Sequence, residues 1–184
     1  MRRAKATLGS AVFLVAAPGT VAVLIPWLLS GWQFRDPQPW WTPVWVQVIG
    51  GLLIAIGAAG LVHAFGKFVV EGFGTPSPSA PPNRLVVGGL YRFVRNPMYV
   101  TVLAAILGQA LLFGQWGLAL YAAITWCGVA AFVRWREEPA LARRFGADYT
   151  AYRKAVRAWW PRLRPWDPGE LGPERVIAAR GQFG

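Results

Sequence analysis

The chain reads as an all-α, polytopic transmembrane protein of about four spans, with a cytoplasmic loop and C-terminal helices. Three observations lead there. Of its 184 residues, 55% are hydrophobic and only 15% charged, against about 25% charged in soluble domains. Its mean hydropathy is +0.36. Four apolar stretches approach the roughly 20 residues a helix needs to cross a hydrocarbon core. Ordinary soluble and disordered chains are excluded, and the length suits one domain. Lys and Arg number 19 against 8 Asp and Glu, a net charge of +11. Where apolar runs dominate, anionic lipid is the expected counter-charge and nucleic acid is not. With one Cys there is no disulfide framework and no Cys-based metal site.

The first span is expected over residues 8–29. Met1-Arg2-Arg3-Ala4-Lys5 ahead of it imitates a signal peptide, but the apolar run outlasts the roughly 7–15 residues of a signal core. Pro18-Gly19 and Pro26 predict kinks within it. The second span is expected over 44–65, where Gly50, Gly51, Gly57 and Gly60 would permit close helix packing. The third, 98–113, is short and would stand nearly upright or extend through Pro97 and Gly114. Only Gly114 and Gln115 separate it from the fourth, 116–133, so these two form a tight hairpin. Counting Lys and Arg by segment puts 18 of 19 on the side of the termini and the connection between the second and third spans (Lys67, Arg84, Arg92, Arg95), and one, Arg35, opposite. Both termini are therefore predicted cytoplasmic. Trp27, Trp32, Trp40, Trp41, Trp45 and Trp116 fall near the outer interface, while Trp135, Trp159, Trp160 and Trp166 fall at or beyond the inner one. That is the distribution of an aromatic belt.

Two cytoplasmic stretches remain. Glu71–Asn96 is rich in Gly and Pro and reads as a structured loop; its length points to function. In 134–160, Glu138-Pro139 can open a helix, Gly146 can end it, and Asp148 can cap another carrying Tyr149 and Tyr152. Residues 1–166 form the expected domain and 167–184 a flexible tail.

The loop carries Gly72-Phe73-Gly74-Thr75-Pro76, then Gly89-Leu90-Tyr91-Arg92-Phe93-Val94-Arg95-Asn96-Pro97-Met98-Tyr99 entering the third span. After the hairpin come Glu137-Glu138, Leu141, Phe145-Gly146, Tyr149 and Tyr152. In order and spacing these blocks resemble the isoprenylcysteine carboxyl methyltransferase and phospholipid N-methyltransferase superfamily of integral membrane enzymes, over roughly residues 50–160. One position departs: the family's Arg-His-Pro is Arg95-Asn96-Pro97 here. Asn keeps the hydrogen bonding of His without its proton near neutral pH, which suits cofactor binding and not general-base work.

The resemblance implies S-adenosylmethionine as cofactor, held between regions 71–97 and 134–160, and a lipophilic acceptor entering from the bilayer. The acceptor is an isoprenylcysteine-type carboxylate, a lipid headgroup amine or a small lipophile. The likeness is to the compact bacterial members, which implies a bacterial inner or plasma membrane. The cofactor-binding residues would be Gly89, Leu90, Tyr91, Arg95, Asn96, Pro97, Tyr99, Glu137 and Glu138, with Arg95 and Glu138 at the reaction centre. Their chemistry fits. Gly88-Gly89 lets backbone approach a ligand closely. Arg95 can pair with the cofactor carboxylate as a fork. Glu137 or Glu138 can accept from its amino group or ribose, and Tyr91 or Tyr99 can stack or donate.

Plainer readings compete. Arg92 and Arg95 could face headgroups, Glu137 and Glu138 could pair with Arg134 and Arg136, and Tyr149 and Tyr152 suit packing. His63, near the inner end of the second span, lacks partner ligands at metal spacing, so no metal is expected. Cys127 reads as a small core residue. Two other functions fit less well: a non-catalytic accessory protein that keeps the fold, and a small dimeric transporter, which should place more charge within its spans.

Overall fold

The computed structural model describes residues 16–36, 39–72 and 85–167, and within them all regular structure is helical. The early part of the expected first span (8–15), the loop stretch 73–84 and the tail beyond 167 lie outside the described residues. The elements are α1 (Ala16–Ser30), α2 (Val44–Gly72), α3 (Pro97–Phe113), α4 (Trp116–Phe132) and α5 (Glu138–Ala155), with a π turn, Val133–Glu137, fusing α4 to α5. Two helices are long and apolar enough to cross a membrane, Val44–Lys67 and the one running Trp116–Ala155; α1 and α3 are shorter apolar helices. Only 22% and 17% of the apolar windows of the long pair are buried within the protein. A soluble core helix would be mostly covered. Here Val44, Ile56 and Ile124 face outward, as side chains do when lipid is the solvent.

The second helix overruns its expected end at residue 65 and continues to Gly72. At about 1.5 Å per residue its 29 residues reach about 43 Å, well beyond a hydrocarbon core of about 30 Å. Its last turns therefore stand clear of the apolar slab. The third helix takes Pro97 as its first residue, where a missing N–H costs nothing, and stops at Gly114 with φ 69°.

Helices α2 and α3 form the tightest pair because small residues let their backbones touch. A Cβ on Gly50 would lie 2.7 Å from the Gly108 carbonyl, and one on Gly57 2.7 Å from the Thr101 carbonyl. Gly60 likewise abuts the Thr101 side chain. Gly51 faces open space, so the packing role expected of it falls to the other three and to Gly108.

Helix α1 is broken by Pro26 and repaired from outside. Ile25 N–H reaches back five residues to the Thr20 carbonyl, giving a π turn over Thr20–Leu24. Pro26 comes next and has no N–H, so Val21 and Ala22 lose their intrahelical donor. Tyr121 Oη donates to Val21 O at 3.0 Å, and Gln109 Nε2 donates to Ala22 O at 2.8 Å. Gln109 Nε2 also donates to Ala105 O, and Gln109 Oε1 accepts from Trp32 Nε1 at 3.0 Å. Every polar group of this buried amide is used.

Candidate functional site

The site lies where α3 begins and α4 ends. It is built from the turn preceding α3, the π turn and α5, with a C-terminal strap over 156–166. The turn is a single 3₁₀ stretch, Gly89–Arg92. Gly89 has φ +57°, and a Cβ there would lie 2.6 Å from His63 Nε2 and 2.9 Å from Lys67 Cγ. Its freedom is thus used to press the turn onto the exposed end of α2, which fixes the height of everything that follows. Leu90 and Tyr91 pack with Ala64, Val86 and Met98; Pro97 is fully buried, and Asn96 occupies the N-cap position of α3 without a side-chain capping bond.

Adjacent carboxylates part company at the junction of the π turn and α5. Glu138 is buried and meets three guanidinium groups: Arg95 Nη1 at 3.0 Å, Arg153 Nη2 at 3.2 Å and Arg134 Nη1 at 3.6 Å. Arg95 Nη1 also donates to Tyr149 Oη at 3.2 Å. Glu137 turns the other way and accepts from Tyr99 Oη at 3.2 Å. Burial pushes the Glu137 carboxyl above its usual range; the Tyr99 hydrogen bond opposes that shift and the charge of Glu138 adds to it. Desolvation also raises the Tyr149 and Tyr152 phenols, Arg95 opposing in both. One carboxylate shared by three arginines leaves the cluster with surplus positive charge. Its geometry also leaves a vacant donor, since Arg95 Nε is buried and has no partner.

Helix α5 delivers these groups because it is two helices in one. Gly146 adopts φ 52°, ψ −119°, a conformation suited to glycine. The break lets Glu138 and the Tyr149–Arg153 turn converge from opposite sides of the bend. Tyr152 then donates to the Tyr91 carbonyl at 2.7 Å and, with Tyr149, Val156 and Trp166, forms a small apolar core.

The strap closes the back. Arg95 N–H donates to Arg157 O, Arg162 N–H to Phe93 O and Trp166 N–H to Arg92 O, each at 2.9 Å, while Arg92 Nε donates to Trp166 O at 2.7 Å. Trp166, expected at the membrane interface, is instead a buried plug against Tyr152. Arg92 is engaged by protein rather than by headgroups alone.

Of the residues singled out by sequence, the structure brings together Arg95 with Glu138 and Tyr99 with Glu137. Gly89, Leu90, Tyr91, Asn96 and Pro97 shape the turn that carries Arg95. Sequence reasoning missed Arg153, for which a basic residue directly after Tyr152 was the available signal. It also missed Arg162, for which there was none, and it set Trp166 at or beyond the inner interface where the structure buries it. Among the described residues no group of three His, Cys, Asp or Glu side chains could hold a metal ion.

Fold and site together define a helical membrane protein with an arginine–carboxylate–tyrosine cluster at one end of its spans. Residues 45–148 match the phospholipid methyltransferase family. That stretch takes in nearly all of α2, all of α3 and α4, and the cluster's Arg95, Arg134 and Glu138, and stops just short of Tyr149 and Arg153; the chain belongs to this family. No curated protein matches it significantly.

Proposed function

We propose that the protein transfers a methyl group from S-adenosylmethionine to a lipophilic acceptor dissolved in the bilayer, at the Arg95–Glu138 cluster. The observation that carries this reading is the vacant Arg95 Nε beside a surplus of positive charge. A buried guanidinium N–H without a partner is costly unless something fills it, and the cofactor's carboxylate has the charge and the planar pair of oxygens to do so. Glu137 remains free of arginine and could accept from the cofactor's amino group or ribose. When bound, the cofactor supplies the electrophilic methyl group. The chain's own tasks are to orient, to exclude water and to hold charge. Glu138 and Tyr149 hold the Arg95 guanidinium, and the strap closes over the turn that carries it.

Within this reading the protein crosses the membrane four times, with both termini and the site cytoplasmic. Helix α3, with Tyr99 near its start, offers the acceptor a route from the hydrocarbon to the cluster.

The test is calorimetric titration of the detergent-purified protein with S-adenosylmethionine and S-adenosylhomocysteine. Saturable micromolar binding of both is expected. Arg95→Lys keeps the charge that Glu138 needs but loses the fork, and should weaken both affinities about 10–100-fold, the worth of one charge-assisted hydrogen bond of about 1.5–3 kcal/mol. A folded wild-type sample that binds neither ligand would overturn the reading and leave a non-catalytic family member.

A further inference from the structure

The strap that closes the site has two faces although it forms no helix. Inward, Val156 and Trp166 are buried and Arg162 is largely covered. Outward, Leu163 is fully exposed, Trp160 is 73% exposed, and Arg157 and Arg164 are exposed beside them. The orientation is not free to change, because backbone hydrogen bonds to Arg92, Phe93 and Arg95 pin the strap at three points. A fixed segment that presents a bare Leu and a bare Trp to water would be a liability.

One ring contact says what covers it. Trp159 packs edge-on against Trp126, centroids 6.4 Å apart. Trp126 is an exposed residue of α4 six positions before that helix ends at Phe132, so it lies about 9 Å along the axis inside the apolar stretch. The strap therefore folds back along the outside of a membrane helix and continues its lipid-facing surface. A partner seated there would have to share that surface with the bilayer.

We propose that residues 157–164 form an interfacial strap that docks on anionic phospholipid headgroups of the leaflet on the site's side. Trp159, Trp160 and Leu163 enter the headgroup boundary, and Arg157 and Arg164 meet the phosphates. Amphipathic aromatic rings and guanidinium groups on apolar stems suit that depth. Two outward arginines, Arg157 and Arg164, stand against the single acid Asp167, so the surface selects negative headgroups over zwitterionic ones. This assignment does not depend on methyl transfer.

The experiment uses the full chain in nanodiscs of mixed phosphatidylcholine and phosphatidylglycerol. Cys127 is the only cysteine and is exposed, so Cys127→Ser with Leu163→Cys gives one bimane label on the strap; Trp160→Cys gives a second position. Brominated acyl chains are carried by either lipid at equal mole fraction. The expected result is quenching by both, with brominated phosphatidylglycerol at least about fivefold more effective, since each arginine near a charged surface supplies about that factor. Arg157→Gln with Arg164→Gln should bring the ratio to about one while quenching persists. Absence of quenching at both positions would mean that water or a protein covers the strap, and equal quenching by the two lipids would mean that charge plays no part. Either result overturns the proposal.

Discussion

Gln109 and Arg95 are both buried, both polar, and each ties together distant parts of the chain. Gln109 sits between α1 and α3 and spends its whole amide, accepting from Trp32 and donating to Ala22 and Ala105. Arg95 sits between the turn and α5, and holds Glu138 and Tyr149 while its Nε is left over. The first network is neutral and complete, and it repairs a broken helix. The second is charged and incomplete. A completed network has nothing to offer a ligand, whereas an incomplete one carries an unspent interaction, the one the proposed cofactor would complete.

That contrast can be broken from the charged side most severely. Glu138→Ala would leave the nearly buried Arg95 without its counter-charge, a loss expected to cost about 3–5 kcal/mol. Thermal or denaturant unfolding in detergent would register it. A variant as stable as wild type would show that the cluster is held by something other than this ion pair.

The neutral side should be milder. Gln109→Leu removes three hydrogen bonds, one within α3 and two to the α1 region; at an average of about 0.6 kcal/mol each within a membrane, the loss is about 2 kcal/mol. Cofactor affinity should not move. Adding Pro26→Ala returns an N–H to α1 and should recover part of the loss, because the broken helix no longer needs a donor from α3. Equal losses with and without Pro26→Ala would sever the link drawn between proline and glutamine.

The smallest effect belongs to Glu137. Its carboxyl is raised in the folded state relative to an unfolded value of 4.5, so folding favours the protonated form. The associated stability is fully present below the unfolded pKa and is lost as pH rises through the folded one. Glu137→Gln, which still accepts from Tyr99, should therefore raise the melting temperature slightly at neutral pH, with the gain vanishing as pH falls toward 4. A gain that persists in acid would mean that burial is not the cause.

The sequence made the helices legible because membrane spans announce themselves by length and composition. Residues 44–65 and 116–133 were recoverable from hydropathy alone, and the Gly114-Gln115 hairpin from its punctuation. It could not show where α2 stops, since Gly66-Lys67-Phe68-Val69-Val70-Glu71 is equally compatible with a helix or a loop. Arg95 and Glu138 were each legible as candidate site residues because each sits in a spaced block, but their pairing with one another was not. Their shared partner Arg153 was not, since contact across a bend at Gly146 depends on one backbone conformation that no side-chain pattern encodes. Trp166 misled for a related reason: a tryptophan beyond a span reads as interfacial unless the chain is known to double back.

The doubling back imposes an order on biosynthesis. Arg92 and Trp166, which clasp each other at the back of the site, are separated by 74 positions. At about 5–20 residues per second of translation, about 4–15 s pass between the appearance of one and of the other. Every described helix has been synthesised before Trp166 exists. The nascent protein is thus a set of inserted spans first and a closed site last. A chain cut short between α5 and Trp166 would carry the helices without the Arg92–Trp166 clasp, and the back of the site would stay open.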